Sequence, residues 1–175
     1  DPLWSRGLGD VYKRQSLKLA MGEYVLFAGQ EIIPEPDALF QMVKAITEKK
    51  ADMIYTDEDE ISADGKHYSE PEFKPDFNLF RLRENNYIGQ FWAIRKEILE
   101  QAGKFDPEYD GAQDYDMLLR CSEQAENIVH IPKILCHSMK AENLITEEQE
   151  KKNWEAGRKA LEEHYRRAEV SAIAE

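Results

Sequence analysis

The chain has only two cysteines and no long run of apolar residues, and each of these features argues against a class of protein. Cys121 and Cys136 have no CxxC spacing, so both are expected to be buried thiols in a reducing cytosol. No stretch of roughly 18 apolar residues is present, so no membrane span is predicted. A secretory signal is not predicted either, and the expected location is cytoplasmic.

Basic residues are also fewer than acidic residues. The chain has 23 Lys and Arg against 35 Asp and Glu, which gives a net charge of −12. This balance argues against a nucleic-acid partner and against electrostatic docking on an anionic membrane. It is compatible with a divalent metal or an anionic substrate that local groups hold. The length of 175 residues and the 42% hydrophobic content indicate one globular domain with a core.

Several catalytic and binding motifs are missing. The sequence has no Walker loop, no GxGxxG and no Ser-His-Asp order, so neither a dinucleotide enzyme nor a triad hydrolase is supported. The acidic run TDEDEISADG, residues 56–65, is not an EF-hand, because that loop needs an acidic or amide group at Ile61 and a glycine directly after it. Acidic groups at a strand end can line a sugar or metal site, or can form a solvated loop. Both interpretations stay open.

The chain changes character after its first fifteen residues. Residues 1–15, DPLWSRGLGDVYKRQ, have no clear period and are basic, which is typical of translated adapter sequence or of an irregular native arm. Beyond them, apolar runs at residues 23–28, 52–56 and 87–94 predict buried strands. Helical patterns occupy residues 37–49, 78–84, 96–102 and 147–166, and two short strands are predicted at 128–131 and 134–137. The pattern predicts an α/β fold with a mainly parallel sheet flanked by helices.

The stretch FDPEYDGAQDYDMLLR, residues 105–120, is the strongest candidate for catalytic chemistry. A helix is predicted to begin near Gln113, with Asp114 and Asp116 in its first turn, where the helix dipole favours negative charge. Asp114 would then stand at the mouth of a loop, a position suited to a general base that takes a proton from a hydroxyl. The alternative is that both aspartates only cap the helix.

Two further positions are candidates on local grounds. Gly89 lies inside a predicted strand, which favours a close approach of backbone or ligand. His137 ends the last predicted strand, where side chains of an open sheet converge on a cleft. A structural role is the alternative for His137, and it is the expected role of His130. His67 and His164 lie in polar surroundings and are expected at the surface.

Seven segments, in order, carry a resemblance to a known family. They are GEYVLF, PDALFQMVKAI, ADMIYTDEDEIS, DGKHYSEPEFKPDFN, NNYIGQFWAIRK, GKFDPEYDGAQDYDMLLR and HIPKILCH. Together they resemble the family 2 glycosyltransferases of bacterial cell-surface polysaccharide synthesis, over about residues 20–137. The resemblance implies a GT-A fold, a Rossmann-like α/β sheet, in residues 16–145, followed by a C-terminal helical segment, residues 146–175.

The resemblance also implies an activity and a set of site residues. The activity is transfer of a sugar, with inversion, from a nucleotide-sugar donor to a glycan or lipid-linked acceptor. Asp114 in QDYD, with Gln113 beside it, is implied as the catalytic base. The other implied positions are Gly89, Gln90, Asp57 and Asp59 for donor or acceptor, and Glu31 and His137 for a Mg²⁺ or Mn²⁺ ion.

Two departures from the family bear on activity. The family's Asp-x-Asp motif is here Gly29-Gln30-Glu31, so a single carboxylate is left and metal binding is expected to be weak. The family's opening strand-helix-strand unit is also truncated. An alternative is therefore a non-catalytic relative, a binding or interaction module that kept the fold and lost the metal motif.

The composition break at Gln15 generates a first prediction. Deleting residues 1–15 should change the free energy of unfolding only slightly, because a foreign-looking segment has no part in the core. Denaturant unfolding of the full and shortened chains would measure the difference. A loss of several kcal/mol, a large share of the roughly 5–15 kcal/mol of a typical domain, would instead identify a packed native element.

Overall fold

The computed structural model of the chain describes residue 17, residues 19–139 and residues 146–172. The segment predicted to be foreign, residues 1–15, lies outside these residues. The strands are β1 (Tyr24–Ala28), β2 (Ile32–Pro34), β3 (Met53–Ile61), β4 (Tyr68–Glu72), β5 (Phe91–Arg95) and β6 (Ile128–Met139). The α-helices are α1 (Ala38–Lys49), α2 (Leu79–Glu84), α3 (Lys96–Ala102), α4 (Gln113–Gln124) and α5 (Glu147–Arg167), and a 3-10 turn occupies Pro107–Tyr109.

The strands form one mixed sheet in the order β1-β5-β3-β6-β2, with β4 paired to β3. β3 and β6 run parallel. β3 is antiparallel to both β4 and β5, and β2 is antiparallel to β6. The α/β class is therefore confirmed, whereas the expectation of a mainly parallel sheet is only partly confirmed. The difference arises because β4 returns directly beside β3 as a hairpin and β5 enters the sheet in the reversed direction.

The second half of β6 corrects a prediction. Pro132 and Lys133 do not divide this segment into two strands, because the sheet accommodates them as a bulge. Thr56 of β3 lies opposite Ile131, and the next residue, Asp57, lies opposite Ile134. A bulge leaves the extra residues outside the ladder and lets the strand continue. β3 is likewise longer than predicted and includes most of the acidic run.

Helix α1 packs on the sheet through small and flexible side chains. Its buried residues are Ala38, Met42 and Ala45, which contact a core that includes Ile54 and Phe91. The helical spacing of Leu39, Met42, Val43 and Ile46 predicts one buried face. Met42 and Ile46 are covered by the core, but Leu39 and Val43 are 61% and 59% exposed. The buried face of α1 therefore includes Ala38 and Ala45, because their small side chains allow the helix to approach the sheet closely.

Contacts divide the chain into two compact units, and each is described by itself. The sheet unit contains Leu26–Arg95 and the stretch from Ala125 through β6. The helical unit contains the described residues before Leu26, Lys96–Gln124 and residues 146–172. This division is distinct from the predicted segments 16–145 and 146–175, which stay a prediction. No helix among the described residues combines the length and apolarity needed to cross a bilayer.

The helical unit is held by partly buried polar contacts as well as by apolar contacts. In α4, Leu118 and Leu119 are fully buried. Asp116 accepts a hydrogen bond from Arg120 Nε at 3.0 Å, one turn along the same helix. His164 of α5 is 1% exposed, and its Nδ1 lies 2.7 Å from Glu123 Oε1. The expectation that His164 is a surface residue is therefore wrong, because a carboxylate of α4 supplies its polar partner.

Asp52 joins three strands at one end of the sheet, which generates a second prediction. Its Oδ1 accepts from Arg95 Nε at 3.2 Å, and its Oδ2 accepts from the N–H groups of Glu126 and Asn127 at 3.0 Å each. Asp52→Ala should lower the free energy of unfolding by about 1–3 kcal/mol, because it leaves these donors without their acceptor. Chemical denaturation would measure the loss. Glu48→Ala, on exposed α1 surface, is the control, and an equal effect of the two changes would contradict the prediction.

Candidate functional site

The parallel pairing of β3 with β6 brings two candidate residues together. Asp59 and His137 are register partners across these strands. His137 Nδ1 contacts Asp59 Oδ1, and its Nε2 lies 2.9 Å from Glu35 Oε1. The ring of Tyr68 meets the imidazole edge-on, with the ring centroids 4.8 Å apart. His137 is therefore fixed by two carboxylates and an aromatic ring at the carboxyl ends of the parallel pair.

The charge state of His137 follows from these neighbours. Burial by itself lowers the pKa of the imidazole, but the hydrogen bonds and negative charges of Asp59 and Glu35 outweigh burial, so the pKa is raised. An imidazolium donates from both ring nitrogens, which matches a ring placed between two carboxylates. In that form neither nitrogen has a lone pair to offer a metal ion.

The predicted metal positions do not form a metal site in this arrangement. The imidazole of His137 is engaged on both sides. Glu31 lies before β2, where its carbonyl accepts from Met139 N–H at 2.8 Å. A Cβ added at Gly29 would lie 2.0 Å from Gln90 Oε1, so the Gln90 amide fills the space of a side chain at Gly29. Among the described residues, no group of three or more His, Cys, Asp or Glu is arranged to hold a metal ion. The donor set therefore does not fit Mg²⁺ or Mn²⁺.

The turn before β5 is the second part of the candidate site in the sheet unit. Tyr87, Ile88, Gly89 and Gln90 form this turn, not the start of the predicted strand. Gly89 has φ +81°, a left-handed conformation that glycine adopts without steric cost. The N–H of Gly29 donates to Gln90 O at 3.2 Å. The structure thus brings Gly29, Gly89 and Gln90 together, and the side chain of Gln90 is exposed.

Asp57 is placed differently from Asp59. It is 3% exposed, and its Oδ1 accepts from Lys74 N–H at 2.9 Å and contacts His130 Nε2 at 2.8 Å. The expected structural role of His130 agrees with this contact. The carboxylate of Asp57 therefore faces interior protein groups, whereas Asp59 faces His137.

The helical unit carries the candidate base. α4 begins at Gln113, directly after Gly111 at φ +99° and Ala112. Asp114 stands in the first turn and is half-buried, and Gln113 is buried. Asp116 is 1% exposed and forms the ion pair with Arg120. The two aspartates of QDYD therefore have separate environments, and Asp116 has a structural role as the partner of Arg120.

Three residues of the sheet unit were not found by sequence reasoning. Glu35 contacts His137, and Lys74 and Glu58 form an ion pair with an N–O distance of 3.1 Å. The sequence offers one weak signal for Lys74, a single basic residue in the acidic, proline-containing run EPEFKPD. Glu35 and Glu58 are carboxylates among many, and their spacing in the sequence does not distinguish them.

Two curated proteins are similar to the chain in sequence, and no family model matches it. The uncharacterized protein y4gI of Sinorhizobium fredii is 36% identical over 163 residues, which cover 90% of this chain and 18% of that protein. The O-antigen biosynthesis protein RfbC of Myxococcus xanthus is 39% identical over 118 residues, covering 67% of this chain and 9% of that protein. The chain thus spans less than a fifth of the length of either relative.

Solved structures of Staphylococcus aureus TarS are similar in fold. TarS 1-349 in complex with UDP-GlcNAc superposes with a TM-score of 0.63 at 19% identity, over 85% of this chain and 44% of TarS. TarS 1-349 without that ligand gives a TM-score of 0.60 over 90% and 51% of the two chains. The chain therefore shares the α/β fold of TarS and is similar in sequence to a protein of O-antigen biosynthesis, in agreement with the resemblance that the sequence indicated.

Proposed function

We propose that the chain is part of a glycosyltransferase that moves a sugar, with inversion, from a nucleotide-diphosphate donor to a glycan or lipid-linked acceptor of a cell-surface polysaccharide. Three findings support the proposal. The fold is that of TarS, which has been crystallised with UDP-GlcNAc. RfbC, named for O-antigen biosynthesis, is 39% identical over 118 residues. The intact QDYD sequence supplies a carboxylate at a helix start.

The observation that carries the proposal is the pairing of Asp59 with His137 at the carboxyl ends of β3 and β6. In open α/β sheets, ligands bind outside the carboxyl ends of the strands. The Gln90 amide offers hydrogen-bond donors on the turn before β5. We assign donor or acceptor contact to Asp59, Gly89 and Gln90, with Asp57 as a buried support. Gln113 stands beside the base.

The chemistry assigned to Asp114 is removal of the acceptor proton. The acceptor hydroxyl oxygen attacks the anomeric carbon, the bond from that carbon to the diphosphate oxygen breaks, and the nucleoside diphosphate leaves with the electron pair. The Asp114 carboxylate accepts the hydroxyl proton as the new bond forms. Attack from the face opposite the leaving group inverts the anomeric centre. This reaction requires no covalent sugar–protein intermediate.

A non-catalytic, glycosyltransferase-like binding module is the second candidate. The observation that favours it is the packing of the Gln90 amide over Gly29, which closes the space of the family's first metal-binding carboxylate. A module of this kind would bind a nucleotide sugar or a glycan without transferring the sugar. For either candidate we propose a cytoplasmic location, with peripheral association at the inner face of the membrane in a longer form of the protein.

Asp114→Asn separates the two candidates. In the full-length protein, the substitution should lower the rate of sugar transfer from a nucleotide donor by roughly 10²–10⁴-fold, because the amide cannot accept the proton. The unfolding midpoint should stay close to that of the unsubstituted protein, since asparagine keeps the shape and the ability to cap the helix.

Asp110→Asn is the matched control for Asp114→Asn. Asp110 is an exposed carboxylate in the preceding loop, and Lys152 Nζ donates to its Oδ2 at 2.7 Å. Loss of a surface ion pair has little energetic effect, so transfer should continue at the unsubstituted rate. Full transfer activity in Asp114→Asn would reduce Asp114 to a helix cap. No transfer in the unsubstituted full-length protein would favour the binding module.

Metal binding provides a further test. Because the donor set does not fit Mn²⁺, we expect the natural chain to bind this ion only weakly, and titration calorimetry would measure the affinity. Gly29→Asp combined with Gln90→Ala should bind Mn²⁺ more tightly by roughly tenfold or more, about 1.4 kcal/mol. The second change is needed because the Gln90 amide fills the space that the new carboxylate requires. Gln90→Ala alone is the control. Equal affinity in the double variant and this control would show that the site is not at Gly29.

A further inference from the structure

The Gln90 side chain reaches over Gly29 because the turn that carries it is held in one conformation. Gln90 Oε1 is 2.0 Å from the position a Cβ would take at Gly29, and Gln90 O accepts from Gly29 N–H at 3.2 Å. Backbone and side chain of Gln90 therefore both face the end of β1. A small rotation of the turn would move the amide away from this position.

A buried lysine lies beneath the turn. Lys74 Nζ donates to Ile88 O at 2.8 Å and pairs with Glu58 Oε2 at 3.1 Å. The Lys74 side chain is 1% exposed, so it reaches the turn from the protein side and not from the solvent. Its backbone N–H is fixed as well, by the carboxylate of Asp57 at 2.9 Å.

The fit between this ion pair and Gly89 is close. A Cβ at Gly89 would lie 3.0 Å from both carboxylate oxygens of Glu58 and 3.0 Å from Lys74 Nζ, and the φ of +81° disfavours any side chain there. The turn therefore rests directly on the ion pair through a residue that has no side chain. Gly89 serves as the contact point, and Gln90 is the next residue along the chain.

Stability alone does not account for a buried ion pair at this position. Taking two charges out of water costs free energy that their attraction only partly offsets, and apolar replacements of similar volume are often neutral or stabilising. A buried charged pair can instead select one conformation of the groups that it contacts. Here the group contacted by Lys74 Nζ is the carbonyl of Ile88, inside the turn.

We propose that Lys74 is a positioning residue that, paired with Glu58, fixes the 87–90 turn and so places the Gln90 amide over Gly29 for contact with the donor diphosphate. The ligand part of this inference rests on the proposed transferase function. The positional part stands on the geometry of the turn. Lys74 itself touches no ligand, because the turn and the sheet enclose it.

The test removes both charges together, so that neither is left buried without its partner. The variant is Lys74→Met/Glu58→Leu, and the control is Lys44→Met, which removes an exposed lysine of α1. The rate of amide hydrogen exchange at Gly29 measures how firmly the turn is held, because the Gly29 N–H donates to Gln90 O. The exchange rate of the Tyr55 amide, inside β3, measures whether the sheet is intact, and the unfolding midpoint measures the stability of the whole chain. Affinity for UDP measures the contact with the ligand.

The double variant should fold with an unfolding midpoint close to that of the natural chain. Its Gly29 amide should exchange at least about tenfold faster while that of Tyr55 is unchanged, and its affinity for UDP should fall by roughly 10- to 100-fold, as expected for a displaced positioning group. Unchanged Gly29 exchange in the folded variant overturns the proposal. If the natural chain binds no UDP, the ligand assignment fails, and Gly29 exchange still decides whether Lys74 positions the turn.

Gly89→Ala covers the case in which the double variant does not fold. It keeps both charges but places a Cβ against the ion pair from the side of the turn. The same selective acceleration of Gly29 exchange is expected. If Gly89→Ala leaves Gly29 exchange at the rate of the natural chain, the ion pair does not set the position of the turn and the proposal is wrong.

Discussion

The parallel pairing of β3 with β6 is the constraint on which the sheet unit depends. A parallel pair requires a long connection, and between these strands the chain forms β4, α2, β5, α3 and α4 before it returns. Two register shifts then set the pairing of the second half: Pro132 and Lys133 are skipped after Ile131, and Leu135 is skipped after Ile134. The resulting register places Asp59 opposite His137. The second shift is a single residue, and a slip of one residue moves the side chains of a strand to the opposite face of the sheet.

Much of the fold could be predicted from local pattern, because the relevant forces act within short segments. The apolar run at Tyr24–Ala28 predicts β1, and the helical spacing of apolar residues predicts the helices that begin at Ala38 and Gln113. The features that the sequence pattern did not predict depend on contacts between distant segments. The continuity of β6 requires β3 as a partner that tolerates a bulge. The exposure of Leu39 on α1 depends on how closely the alanines of that helix approach the sheet.

The candidate site also has one part that local sequence predicts and another that depends on contacts between distant segments. The position of Asp114 is local, since a loop with glycine and a helix start define it. The surroundings of His137 are not local, because Asp59 and Glu35 lie 78 and 102 residues away in sequence. No spacing rule links such partners. A lone histidine at a strand end was recognisable as a candidate, but its placement between two carboxylates, which raises its pKa and occupies both nitrogens, could only come from the structure.

Gly29 shows why a substitution in a motif has to be interpreted together with its spatial neighbours. In the sequence, glycine in place of a carboxylate signifies a lost ligand. In the structure the vacated volume is occupied by Gln90 Oε1, and the turn that delivers it rests on Lys74 and Glu58. The Gln90 amide occupies the space that a carboxylate side chain at Gly29 would need, so this region is polar without that negative charge. A neutral amide can donate hydrogen bonds to a diphosphate, whereas an ionised carboxylate only accepts and needs a cation between itself and the diphosphate. The chemistry of this edge therefore depends on the pair of positions, and neither residue determines it alone.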